Sequence, residues 1–171
     1  MPLPAFWRLM LMSDSSPTRH LKSLTGDEVE VDLITMQPET KLPPQCPNGV
    51  QDLTAAPYLR RQVWKHCSQG TLMWAESWWN QQTAQEIFHN RNVTIWHNLR
   101  RDLVELNRDI DQLGQVQDPR LQERFGRTGP FWSRSYSLFK GGQALTVIRE
   151  VFSPALERYL DGNSHPGPGE G

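Results

Sequence analysis

Residues 131–152 read FWSRSYSLFKGGQALTVIREVF. Two runs rich in aromatic and β-branched residues, 131–139 and 144–152, flank Gly141 and Gly142, with Lys140 beside them. Paired glycines accept the positive φ angles of a tight hairpin turn, so the segment predicts two antiparallel strands. Pro154 stops the second, since proline cannot donate to a ladder. Outward from this hairpin, residues 60–79, RRQVWKHCSQGTLMWAESWW, repeat the pattern. Runs 61–65 and 72–79 around Ser68, Gln69 and Gly70 predict a second hairpin. Further upstream Val29, Val31 and Leu33 alternate with Glu28, Glu30 and Asp32. A period of two with charges on one side is a strand with one wet face.

The rest reads as helix and connection. Phe6, Leu9 and Met10 recur at helical spacing within residues 1–12, where Arg8 interrupts the apolar run and no small-residue cleavage pattern follows. This predicts a first helix rather than a signal peptide. Asp14 or Ser15 restarts the chain, Pro17 sits where a first-turn proline is tolerated, and Gly26 ends a second helix. Residues 83–89 predict a short helix. Residues 95–113 predict the clearest one, with Trp96, Leu99, Leu103, Leu106 and Ile110 as its stripe and Arg100, Arg101, Asp109 and Asp111 elsewhere. Residues 37–57 hold five prolines and little periodicity. They form a long surface connection, either a lid or slack. Residues 1–160 are expected to form one domain, and the Gly- and Pro-containing tail, 161–171, to be disordered. The order of elements lacks the strand and helix alternation of a parallel sheet. The expected fold is α+β: one antiparallel sheet of about six strands with helices covering one face.

Composition narrows the function classes. A chain of 171 residues, 22% charged, suits one core. A net charge of −1 with no block of like charge argues against nucleic-acid and anionic-membrane partners. No apolar run reaches the roughly 18 residues of a membrane span, so a cytoplasmic location is expected. Cys46 and Cys67 form no CxxC pair and read as free thiols in a reducing compartment.

Templates for phosphate loops, nucleophile elbows and zinc proteases are missing, and His20, His66, His89, His97 and His165 show no ligand spacing. No metal site is therefore expected. Glu150 shares its strand face with Ile148, Thr146 and Phe152, and a carboxylate among apolar neighbours suits acid or base work. The alternatives are that Glu150 faces solvent with Arg149 inward, or that it pairs structurally with an arginine. Arg61, beside Arg60, is a candidate grip for a carboxylate, or else a solvated strand-end arginine. Glu76 and Arg134 read as surface pairs. Trp64, Trp74, Trp78 and Trp79 either wall an aromatic pocket or fill a core.

Taken in order, LMSDSSPTRHL, GDEVEVDLITM, RRQVWKHCSQGTLMWAESWW, IWHNLRRDLVELNRDI and FWSRSYSLFKGGQALTVIREVFSP resemble the chorismate lyase family, including lyase-like proteins of cyanobacteria and red algal plastids. The resemblance implies an α+β domain that encloses its product and splits chorismate into 4-hydroxybenzoate and pyruvate, without a cofactor, for quinone synthesis. It places the family's ligand-binding arginine on Arg61 and its glutamate on Glu150, both as catalytic candidates. The other substrate-binding positions fall on Pro17 and Ile95. Two residues depart from the pattern: Pro17 lacks a backbone N–H, and Trp96 stands where the family often has glycine. Arg134 or Arg19 is a candidate for the second carboxylate. A monomer is expected, with chorismate and 4-hydroxybenzoate as its small-molecule partners. The rival expectation is a non-catalytic binder or sensor of small aromatic acids.

Overall fold

The computed structural model describes residues 2–53, 56–87 and 107–160. Six strands, β1 (Glu30–Glu39), β2 (Tyr58–Cys67), β3 (Gly70–Asn80), β4 (Asn107–Val116), β5 (Phe131–Lys140) and β6 (Gln143–Phe152), make one sheet in the order β1-β2-β3-β6-β5-β4. Every neighbouring pair is antiparallel. Two three-stranded meanders are thus joined through β3 and β6, which become the central strands. Both predicted hairpins form, and Gly141 and Gly142 adopt φ of 57° and 78° at the second turn.

Helices α1 (Ala5–Met12) and α2 (Pro17–Thr25) cover one face. Trp7, Met10 and Leu11 make the buried stripe of α1, whereas Leu9 is 65% exposed. The expected Phe6, Leu9, Met10 stripe is therefore one residue out: the i, i+3, i+4 set that meets the sheet is centred on Trp7, the largest ring available. Trp7 packs edge-on against Phe152 and donates its Nε1–H to Glu157 Oε1 at 2.6 Å. Leu21 of α2, Val63, Leu72 and Leu156 complete this cluster. Burial of each such side chain contributes about 1.5–3 kcal/mol.

Helix α3 (Gln81–Ile87) follows β3 and overlaps the predicted helix over 83–89, whose last two residues lie outside the described residues. The predicted helix over 95–113 fails at its C-terminal end. Residues 107–116 are strand β4, paired with β5 from Asn107 opposite Phe139 to Val116 opposite Phe131. Asn107, Asp109, Asp111 and Gly114 are poor helix formers, and the open edge of β5 offers a full ladder of hydrogen bonds. Residues 95–106 lie outside the described residues, as do 161–171.

A helix that the sequence reading passed over, α4 (Pro119–Phe125), packs Leu121 and Phe125 on the opposite face against Phe131, Val151, Trp64 and Trp74. Its signals are local. Asp118 accepts the Arg120 N–H at 2.8 Å, Pro119 opens the helix, and Gly126 closes it at φ 62°. Asp118→Ala should cost about 1 kcal/mol in urea unfolding at neutral pH. The bonds from Arg120 hold the Asp118 carboxyl below its ordinary 3.8. A depressed carboxylate stabilises above its unfolded value and loses that contribution as pH falls through the folded one. The difference between wild type and variant should accordingly shrink below about pH 4.

Candidate functional site

Register sets the site. Across the sheet, Val63, Ala75, Glu150 and Arg134 stand in one row; Arg61, Ser77, Ile148 and Tyr136 stand in the next row on the same face. Arg61 and Glu150 are thus two strands and two residues apart, about 12 Å between Cα atoms by ordinary sheet spacings. Both are 2% exposed. Between them on the same face stand the small residues Ala75 and Ser77.

Glu150 is held at both oxygens. Arg134 Nε donates to Oε2 at 2.7 Å and the Tyr136 hydroxyl to Oε1 at 2.9 Å. Arg134 is 1% exposed, with its guanidinium 5.1 Å from the Tyr136 ring centre and 5.8 Å from that of Phe152. Its Nη1 donates to the carbonyls of Leu11 and Ser13 at 3.1 and 3.0 Å, tying the end of α1 to the site. Its Nη2 has no hydrogen-bond partner among the described residues. Burial is the largest single influence on Arg134 and opposes its charge, but the Glu150 carboxylate together with Tyr136 and Asp14 outweighs it and keeps the guanidinium above its ordinary value. For Arg61, burial prevails and pushes the guanidinium down to about 10.

Of the expected site residues, Arg61 and Glu150 come together on one face, and Glu150 faces inward. Glu150 pairs with an arginine, as one alternative had it, and that arginine is Arg134. Pro17 is buried at the start of α2, in a segment whose neighbours Ser13 and Thr18 are bonded to Arg134 and, at 2.9 Å, to Lys65 Nζ of the same sheet. Ile95 and Trp96 lie outside the described residues.

Two expectations need correction. Glu76 and Arg134 are not surface pairs: they are 3% and 1% exposed, because each sits on a strand covered on both sides. Arg60 does not cluster with Arg61, since alternation sends it to the opposite face, where its Nε donates to Glu76 Oε2 at 2.7 Å. Sequence reasoning also missed Tyr136, whose place on an alternating run beside Arg134 was the available signal. The tryptophans divide. Trp79 and Trp78 are fully buried in separate clusters on the two faces, while Trp64 and Trp74 are half-buried on the face away from Glu150. Cys46 and Cys67 are free thiols. Among the described residues no group of three or more His, Cys, Asp or Glu side chains could hold a metal ion, and no helix is long and apolar enough to cross a membrane.

A family profile described as chorismate pyruvate-lyase Rv2949c-like matches residues 11–160. The chain belongs to this family. Relatives of this Rv2949c-like chain include the uncharacterized protein ycf21 of Pyropia yezoensis, 31% identical over 158 residues, covering 92% of this chain and 86% of the relative. The ycf21 protein of Cyanophora paradoxa is 27% identical over 153 residues, covering 89% and 79%. Among solved structures, the effector domain of PhnF from Mycobacterium smegmatis superposes with a TM-score of 0.64 at 12% identity, covering 85% of this chain and 93% of that one. The possible transcriptional regulator YydK from Bacillus subtilis gives a TM-score of 0.61 at 15% identity, covering 78% of this chain; the chain spans 60% of YydK. At these identities the likeness is one of fold. This chain and those two proteins therefore share a fold.

Proposed function

We propose that this protein is a chorismate lyase, and that Arg61 and Glu150 bind the substrate. The observation that carries the reading is a desolvated arginine and a doubly held glutamate at the two ends of one buried face, in a chain of the chorismate pyruvate-lyase Rv2949c-like family. Chorismate is a cyclohexadiene with a ring carboxylate, a ring hydroxyl and an enolpyruvyl ether. Arg61 takes the ring carboxylate, a pairing that offsets the burial of its own charge. Glu150 takes the ring hydroxyl as a hydrogen-bond acceptor. With Arg134 and Tyr136 already on its oxygens, it is better placed to orient the ring than to carry protons. Arg134 Nη2 is then available to the enolpyruvyl carboxylate.

The ether C–O bond breaks and its electron pair leaves with enolpyruvate. The proton on the neighbouring hydroxyl-bearing carbon is lost and the C–H pair completes the aromatic ring. Enolpyruvate takes up a proton and becomes pyruvate. Aromatisation drives the step without a cofactor, and the protein's part is to fix the diene geometry away from water. The 4-hydroxybenzoate produced is a ring precursor for quinone synthesis.

The decisive experiment mixes the purified protein with chorismate and follows both products. Equal release of 4-hydroxybenzoate and pyruvate, lost in Glu150→Ala, is the expected result. Saturable 4-hydroxybenzoate binding with no turnover would instead establish a binder, the reading favoured by the effector-domain likeness.

Proton linkage offers an independent check on Arg61. A carboxylate bound there raises a guanidinium that burial holds near 10. Binding of benzoate, which lacks the phenol that titrates in the same range, should take up a fraction of a proton at about pH 10 and none at pH 7, and its affinity should fall as pH rises beyond about 10. Calorimetry in two buffers of different ionisation enthalpy reads this directly.

A further inference from the structure

A cavity of about 480 Å³ lies on the face of the sheet away from Arg61 and Glu150, well within the size range of small-molecule sites. Trp64 and Trp74, direct partners across β2 and β3, form a half-buried indole shelf along one side. The Pro-rich connection comes down over it through Pro43, Pro44, Gln45 and Cys46. That connection is therefore not slack: it roofs a built space.

The charges in this cavity point to an anion. Glu76 is engaged by Arg60 Nε and Gln62 Nε2, both at 2.7 Å. Asp118 is engaged by Arg120 at 2.9 Å. The third arginine, Arg149, has no carboxylate partner among the described residues; its Nη2 donates to the Gln45 carbonyl at 2.9 Å. Arg149 also lines an adjoining cavity with Ser133, Ser135 and Gln112, so its guanidinium is open to more than one approach. On β6, Arg149 stands two residues from Val151, which faces Trp74. A residue pair spans about 6.6 Å along a strand, close to the length of a benzoate ring with its carboxylate.

We propose that this cavity is a second ligand site, for a planar aromatic carboxylic acid whose ring lies on Trp64 and Trp74 and whose carboxylate pairs with Arg149. An arginine fork matches a carboxylate in shape and charge, and indole faces accept flat rings. The inference does not depend on the proposed lyase activity. The site lies across the sheet from Arg61 and Glu150, and a binder would possess it equally.

Cys46 supplies a native reporter. It lines this cavity as a half-buried free thiol, while Cys67 is buried in the cluster under α1 and α2. The test is the rate of iodoacetamide alkylation of Cys46, read by peptide mass spectrometry, with and without 4-hydroxybenzoate. For a Kd of about 1 mM, about 5 mM acid should slow the reaction about sixfold. The slowing should persist in Arg61→Ala, vanish in Arg149→Met and survive in part in Arg149→Lys, and the uncharged 4-hydroxybenzamide should give none. Circular dichroism confirms that each variant is folded. No protection in wild type, protection that survives Arg149→Met, or protection lost in Arg61→Ala would each overturn the proposal. None of these outcomes decides whether chorismate is turned over, so the two readings fail separately.

Discussion

Arg134→Met should destabilise the protein by about 3–5 kcal/mol. The guanidinium is fully buried, bonded to Glu150 at 2.7 Å and to two carbonyls at the end of α1. Its removal takes the charged donor at 2.7 Å away from a carboxylate that is 2% exposed, and breaking a buried pair from one side is costly. Urea unfolding measures the loss. The double variant Arg134→Met with Glu150→Leu should recover much of it, because apolar replacement of both partners is far less costly than breaking the pair. A double variant no more stable than the single one would show that the cost comes from the lost tie to α1 instead. Since that tie orders the segment carrying Pro17, the single variant should also lose ligand affinity.

Arg61→Met should have the opposite profile. Burial pushes this guanidinium down from its ordinary value to about 10. For a base whose folded value is depressed, the cost is present in full below the folded value and relieved only as pH rises through about 10 towards its ordinary value. At pH 7 the fold therefore bears all of it, and replacement by a side chain of similar length should leave unfolding stability unchanged or raise it by up to about 2 kcal/mol. Chorismate turnover should meanwhile fall by about 10²-fold or more in kcat/KM, the scale of losing a buried charge contact worth roughly 3 kcal/mol. A stable, inactive variant is the signature of a residue that serves the ligand rather than the fold. If Arg61→Met unfolded the protein, Arg61 would be a structural residue and the proposed ligand role would be lost.

These two arginines also show how far the sequence could be read. Both have apolar or aromatic residues two positions away on either side, Leu59 and Val63 for Arg61 and Trp132 and Tyr136 for Arg134, so their membership of strands follows from the local pattern. Which partner each meets does not. Counted evenly from Lys140 opposite Gln143, Arg134 would face Arg149. An irregularity between Leu138 and Phe139 shifts the pairing by one and brings Arg134 opposite Glu150. A one-residue shift decides whether β5 and β6 hold two repelling cations or a buried ion pair. The same limit applies to Glu76, whose partners Arg60 and Gln62 are on another strand.

The sequence by itself determined the two hairpins, the first three helices and the alternating faces of the strands. Their signals are carried within a few residues: glycines that tolerate positive φ, prolines that open or stop an element, and a period of two or of three to four. It also carried the family, through five stretches in order. Tertiary structure alone decided that residues 107–116 are a strand, because the open edge of β5 outweighed weak helical propensity. It decided that Arg134 meets Glu150 rather than Arg149, and that the Pro-rich connection covers a cavity. Such outcomes depend on hydrogen bonds and burial between residues far apart in the chain, which no local pattern encodes.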